Sequence, residues 1–159
     1  MKYEFEQLDK NNEKHVDTLK QVSAWSKDHE TMKNYEESEL SQHPLSIVAF
    51  DNQAKELAGH VAVTEISELN QKKIGRIGAL AVAQAIQGNG VGTGLIRHLL
   101  KIAEKKLPEI DSYYAFVHPG SLKAFLDNGA QIVGPRVPEV STGCNIIVSL
   151  DVIGINSNE

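Results

Sequence analysis

The sequence predicts a mixed α/β (α+β) domain, and three observations predict it. Short apolar or alternating runs, read as strands, are interleaved with segments of helical periodicity. The order along the chain is strand, two helices, three strands, helix, strand, helix, two strands. A glycine-rich turn, residues 87–94, joins the apolar run 77–82 to the strongly helical segment 95–106. The chain has 159 residues and no repeat, low-complexity tract or linker, which predicts one domain over 1–155 and a polar, frayed tail at 156–159.

Each element has its own signal. Tyr3 and Phe5 alternate with Glu4 and Glu6, as in a half-buried first strand. Asn11 or Asn12 can cap the helix that follows, where Val16, Leu19, Val22 and Trp25 recur at helical spacing. A more polar second helix is expected over 31–40, ended by His43-Pro44. Residues 47–50 make a short apolar strand, and Asp51-Asn52-Gln53 turns it into the next, 57–66. There Gly59, Val61 and Val63 face one way and His60, Ala62 and Thr64 the other. Residues 74–82 form another strand, with Gly75 and Gly78 weakening it or admitting a bulge. In the helix over 95–106, Leu95, Leu99, Ile102 and Ala103 share a face, closing lysines complement the dipole, and Pro108 stops it. Residues 113–117 are a dense strand. Pro119-Gly120 leads into a short helix, 121–127, closed by Asn128-Gly129, and two antiparallel strands end the fold, 131–133 and 145–152.

Composition narrows the function. Hydrophobic residues make up 41% and charged residues 23%, the balance of a soluble globular protein. The net charge is -5, with no basic block, which argues against binding nucleic acid through its phosphates. Mild acidity tolerates a cationic amine. One cysteine, Cys144, permits no internal disulfide and no thiolate zinc cluster, and it reads as an inert thiol. The scattered histidines form no metal-binding pair. No apolar run approaches a signal peptide or a membrane span, so no membrane association and a cytoplasmic location are expected.

The turn Gln87-Gly88-Asn89-Gly90-Val91-Gly92-Thr93-Gly94 carries the chemistry. A glycine turn opening a helix leaves backbone N–H groups bare at the positive end of the helix dipole, which suits a phosphate or diphosphate. It is not a P-loop, because no Lys-Ser/Thr pair follows the last glycine. It is not a dinucleotide fingerprint, because the glycines fall at every second position. Gln87 and Thr93 can add side-chain donors.

The pattern resembles the acetyl-coenzyme A loop of the GNAT N-acetyltransferase superfamily, Arg/Gln-x-x-Gly-x-Gly/Ala after a strand and before a long helix. Gln87, Gly90 and Gly92 match its fixed positions, and Gly88, Val91, Thr93 and Leu95 carry the family's usual residue types. The element order matches over nearly the whole chain. The resemblance implies a mixed, mostly antiparallel sheet of about six to seven strands, splayed between strands four and five and flanked by about four helices. It implies acetyl-CoA as co-substrate. Its arm would lie in the splay against Leu80, Ala81 and Val82, and its diphosphate on Gln87, Gly88, Asn89, Gly90, Val91, Gly92 and Thr93. It also implies an amine acceptor, a small molecule or a peptide, and dimerisation is common in the family.

Acetyl transfer needs a neutral amine, a donor to the carbonyl oxygen and a proton for the leaving thiolate. Many members use a glutamate on the fourth strand and a tyrosine on the last helix. Here the strand reads Arg76-Ile77-Gly78-Ala79, without a carboxylate, and Leu126 stands where the tyrosine usually does. The asparagine that often precedes that helix is replaced by Gly120 or Ser121. His118, at the end of the fifth strand, and Tyr114, on the side expected to carry Phe116 and His118, are the catalytic candidates. Ser121 either donates to the cofactor or caps the helix. Glu65 and Tyr35 are candidate acceptor contacts, Tyr35 because the segment around Asp28, Glu30, Tyr35 and Glu36 is acidic and aromatic. The loss of the usual acid and base leaves two readings, an N-acetyltransferase acting by direct amine attack and a non-catalytic acyl-CoA binding or sensing module.

Overall fold

A computed structural model describes residues 2–28, 34–135 and 146–151. The chain runs β1 (Tyr3–Gln7), α1 (Glu13–Asp28), α2 (Glu37–Leu40), β2 (Leu45–Asp51), β3 (Leu57–Leu69), β4 (Lys72–Val82), α3 (Val91–Lys106), β5 (Ile110–Val117), α4 (Leu122–Leu126), β6 (Gln131–Pro135) and β7 (Ile146–Asp151). The strands form one sheet in the order β1-β2-β3-β4-β5-β7-β6, antiparallel throughout except for the parallel pair β4–β5. This is the expected mixed, mostly antiparallel seven-stranded sheet with four helices. No helix among the described residues is long and apolar enough to cross a membrane. Cys144, Glu30 and the tail from 152 lie outside the described residues.

The two faces of the sheet bury different cores. Val91, Leu95, Ile96, Leu99, Leu100 and Ala103 of α3 pack on Ala58, Val61 and Val63 of β3 and on Tyr113, Ala115 and Val117 of β5. On the other face Leu19 and Val22 of α1, with Leu40 of α2, meet Val48, Phe50, Leu57, Ala62 and Ala79. From Val61 to Val63 the alternation in β3 divides as the period-two pattern predicts, and it breaks at Ala58, where the register against β2 shifts.

The first two helices depart from expectation. Asn12 caps α1, its Oδ1 accepting the Lys14 N–H at 3.0 Å. The buried face, however, is His15, Thr18, Leu19, Val22, Ser23 and Ser26, and Val16 is 42% exposed. Polar residues face inward because they have partners. Ser23 Oγ donates to the Tyr35 carbonyl at 2.7 Å, and the Tyr35 N–H donates to Ser26 Oγ at 2.8 Å. These bonds hold residue 35 against α1, so Glu36 is extended and α2 starts only at Glu37. The helix expected from residue 31 is thus confined to four residues, with 31–33 outside the described residues.

The bulge foreseen in the fourth strand falls at Ala79. Between the pairs His60↔Ala81 and Ala62↔Gly78, β4 advances one residue more than β3, and Ala79 takes a positive φ of 52°. His60, fully buried, places Nδ1 2.9 Å from the Ala79 carbonyl. A carbonyl only accepts, so Nδ1 carries the proton. Nε2 has no hydrogen-bond partner among the described residues. A second bulge lies in β3 between Val63↔Ile77 and Glu65↔Arg76, and Thr64 Oγ1 reaches the Arg76 carbonyl at 3.4 Å.

Burial pushes the His60 imidazole down to about 4 from 6.5, with nearby His43 adding to the effect. The unfolded chain binds the proton first, so stability is intact above pH 6.5 and falls as pH drops toward 4. A shift of that size corresponds to about 3 kcal/mol. His60→Asn keeps an amide N–H for Ala79 and cannot titrate. Urea titrations at a series of pH values should show a shallower acid-side loss in this variant. Equal slopes for the two proteins would refute the assignment.

Candidate functional site

The site begins where two strands part. β4 and β5 pair only from Lys73↔Ile110 to Arg76↔Tyr114. β4 continues to Val82, so residues 77–82 keep β3 on one edge and, among the described residues, have no paired strand on the other. This is the splay between strands four and five, and Leu80, Ala81 and Val82 lie along it. An inner strand edge left open needs another source of partners for its polar groups.

At the Val82 end, the chain makes a single 3-10 turn, Gln84–Ile86, and enters α3. Gly88 and Gly90 have φ of 88° and 82°, which favours glycine. A Cβ at either would meet nothing within 4 Å, so the space before the turn is open. The first bond closing α3 is Gly94 N–H to the Gly90 carbonyl, at 3.0 Å. The N–H groups of Val91, Gly92 and Thr93 precede it and are the free donors of the helix start. Asn128 Nδ2 ties α4 to this turn, donating to the Thr93 carbonyl at 3.1 Å and to the Ala124 carbonyl at 2.7 Å.

Two loop side chains are engaged within the protein. Gln87 Nε2 donates to the Val82 carbonyl at 3.2 Å, and Asn89 Nδ2 to the Ile86 carbonyl at 2.9 Å, so both brace the turn. Gly94 answers to packing, since a Cβ there would overlap the Phe5 ring. Ser121 precedes α4 but makes no side-chain capping bond, so the capping role is not met.

At the Arg76 end, on the α1/α2 face, lies a cavity of about 300 Å³. Thr64, Glu65 and Arg76 form its sheet side, and Tyr35, Glu39, Gln42 and His43 the other. Tyr35 is buried, and its hydroxyl oxygen would lie 3.6 Å from a Cβ built on Gly78. Tyr114 OH donates to Glu65 Oε1 at 3.2 Å, and Arg76 Nη1 is 3.7 Å from the same oxygen. The Arg76 guanidinium lies 4.7 Å from the centre of the Phe116 ring, which meets Tyr114 edge to face at 5.6 Å. Sequence reasoning named Glu65, Tyr35 and Tyr114, and the fold brings all three to this corner. It missed Arg76, Thr64, Glu39, Gln42 and His43, which are distant in the chain. The one available signal was Arg76, a cation where the resemblance implied a carboxylate.

The other tyrosine and His118 are placed differently. Tyr113 faces α3 across Gly75, and burial, followed by the nearby Glu109 carboxylate, pushes its phenol up to about 12. It is a packing residue. His118 stands one residue past β5, and its Nδ1 accepts the Gly120 N–H at 3.0 Å. Its neutral ring therefore carries the proton on Nε2. It makes no hydrogen bond to Tyr114 or Glu65 among the described residues.

The open edge of β4 thus connects a donor-rich helix start with a polar cavity roughly 20 Å away, at about 3.3 Å per strand residue. That arrangement suits a ligand with phosphates at one end, amides along its length and a reactive group at the other. The model of the Acetyltransferase (GNAT) family matches residues 10–125, and the chain belongs to that family. Acetyl-CoA is the co-substrate typical of its members.

Solved structures of the same fold include the NatC complex bound to Gag peptide and CoA, at 19% identity and TM-score 0.74, covering 95% of this chain and 99% of that one. Spermidine N-acetyltransferase from Vibrio cholerae, in complex with CoA and spermine, aligns at 18% identity and TM-score 0.70, covering 98% of each chain. The ribosomal-protein-S18-alanine N-acetyltransferase from Escherichia coli aligns at 14% identity and TM-score 0.66, covering 94% of each. At these identities the likeness is one of fold. No protein of curated function matches the sequence.

Two glycine substitutions should separate binding from packing. Gly90→Val forces a β-branched residue to positive φ, at a cost of about 1–3 kcal/mol. Calorimetry with coenzyme A should show binding weakened at least about tenfold. Gly94→Ala pushes on Phe5 and should lower stability to urea by about 1–3 kcal/mol. Unchanged affinity in a folded Gly90→Val protein, or unchanged stability in Gly94→Ala, would contradict the respective role.

Proposed function

We propose that this protein is an acetyl-CoA-dependent N-acetyltransferase, a single domain that acetylates a primary amine by direct attack. One observation carries the reading. The open edge of β4 runs from the glycine turn at Val82 to the cavity at Arg76. Backbone donors of Gly88, Gly90, Val91, Gly92 and Thr93 receive the diphosphate, with Gln87 and Asn89 holding the turn in shape. Along Leu80, Ala81 and Val82, the backbone groups that β3 leaves unpaired would meet the pantetheine amides, the Val82 carbonyl being already engaged by Gln87, and Ser121 stands near the start of α4 as a further donor. Bound acetyl-CoA supplies a thioester that an amine can attack.

The acceptor occupies the cavity. Glu65 and Glu39 attract its ammonium. Glu65 takes the proton that must leave the nitrogen before it attacks. Tyr114, hydrogen-bonded to Glu65, is assigned to return a proton toward the leaving sulfur. As the new C–N bond forms the C–S bond breaks, so one proton leaves nitrogen and one reaches sulfur. His118, with its Nε2 proton, is the second candidate donor. Tyr35 lines the acceptor side.

Free thiol release from acetyl-CoA, measured against a panel of primary amines, tests this. Turnover is expected, and Glu65→Gln and Tyr114→Phe should each lower kcat at least about tenfold. The His118→Ala variant compares the second donor directly. Tight coenzyme A binding without turnover on any amine would replace this reading with the acyl-CoA binding module.

A further inference from the structure

We propose that the acceptor carries a carboxylate beside its amine, as a free α-amino acid does, and that Arg76 is the residue that reads the carboxylate. The inference rests on the N-acetyltransferase reading above and concerns which amines the same cavity takes.

Arg76 is held from three directions. Its backbone pairs with Glu65 on β3 and with Tyr114 on β5, at the last rung before the strands part. Its guanidinium lies over the Phe116 ring at 4.7 Å. The side chain is only 31% exposed. Yet its one ionic neighbour among the described residues, Glu65, sits at 3.7 Å, beyond hydrogen-bond reach. Glu65 spends the same oxygen on Tyr114. A guanidinium has five N–H donors in a planar fork. Here the fork is largely removed from water, fixed in place and without a hydrogen-bond acceptor among the described residues. It borders a cavity of about 300 Å³, at the small end for ligand sites.

An acceptor with amines alone would leave that fork unmet and bring a second cation beside it. A carboxylate would satisfy it with two parallel bonds, the strongest geometry open to arginine. Glu39 and Glu65, on the same cavity, suit the ammonium. Opposite charges side by side in a small space match a zwitterion. They match a polyamine poorly, and the cavity is small for an extended peptide.

The test uses matched pairs with the intact protein and acetyl-CoA: alanine against alaninamide, glycine against glycinamide, and ornithine against putrescine. Each amide or diamine lacks the carboxylate, and the amides lose their ammonium proton more easily. In the two amide pairs a preference for the acid therefore runs against intrinsic reactivity. The expected result is kcat/KM at least tenfold higher for the acids. Arg76→Gln should raise KM for the acids and bring the ratio close to one, and Arg76→Lys should restore part of it. Preference for putrescine, for an amide or for a peptide N-terminus, or a ratio unmoved by Arg76→Gln, overturns the proposal while leaving the enzyme reading intact. If no amine is turned over although coenzyme A binds, the enzyme reading fails separately. Calorimetry of alanine against alaninamide then decides: acid-selective binding lost in Arg76→Gln supports the carboxylate site, and its absence refutes it.

Discussion

The hydrogen bond from His60 to the Ala79 carbonyl is the contact on which the site depends. A bulge turns that carbonyl out of the β3–β4 ladder into a buried setting, where an unmet acceptor is costly. The buried imidazole supplies the missing donor, and burial keeps the ring neutral. With the extra residue fixed in β4 and another in β3 at Thr64, the last half of β4 leaves the line that β5 follows. The opening of the sheet is thereby written into side-chain chemistry on the face opposite α3.

From that opening follow two ends with different electrostatics. The Val82 end offers backbone donors and a helix dipole, with no lysine or arginine in the turn. The Arg76 end offers charged side chains of both signs, packed between sheet and α2. Neither end could be built on a regular strand pair, because β5 would cover the edge that joins them.

The sequence was most legible where backbone geometry demands a residue type. The loop glycines, the Asn12 cap and the alternation of β3 each follow from local conformational needs, and each stands where expected. It was least legible where partners come from afar. Val16 looked like a core residue, yet the buried face of the helix keeps Leu19 and Val22 and takes in Ser23 and Ser26, which the Tyr35 backbone engages. Gly94 looked like part of the ligand turn but makes room for Phe5, about ninety positions away. His60 showed only as one member of an alternating strand, and Arg76 as a missing carboxylate. Their roles depend on two bulges that shift which residues face each other across strands, and periodicity carries no trace of such shifts.

The bare side of residues 77–82 has a bearing on how the protein endures in a cell. A sheet with an unfilled slot is incomplete as a folded object, and whatever occupies the slot joins the native state alone. By mass action a ligand at a hundred times its dissociation constant adds about 2.7 kcal/mol to resistance against unfolding. Resistance to unfolding would then depend on how much of that ligand is at hand.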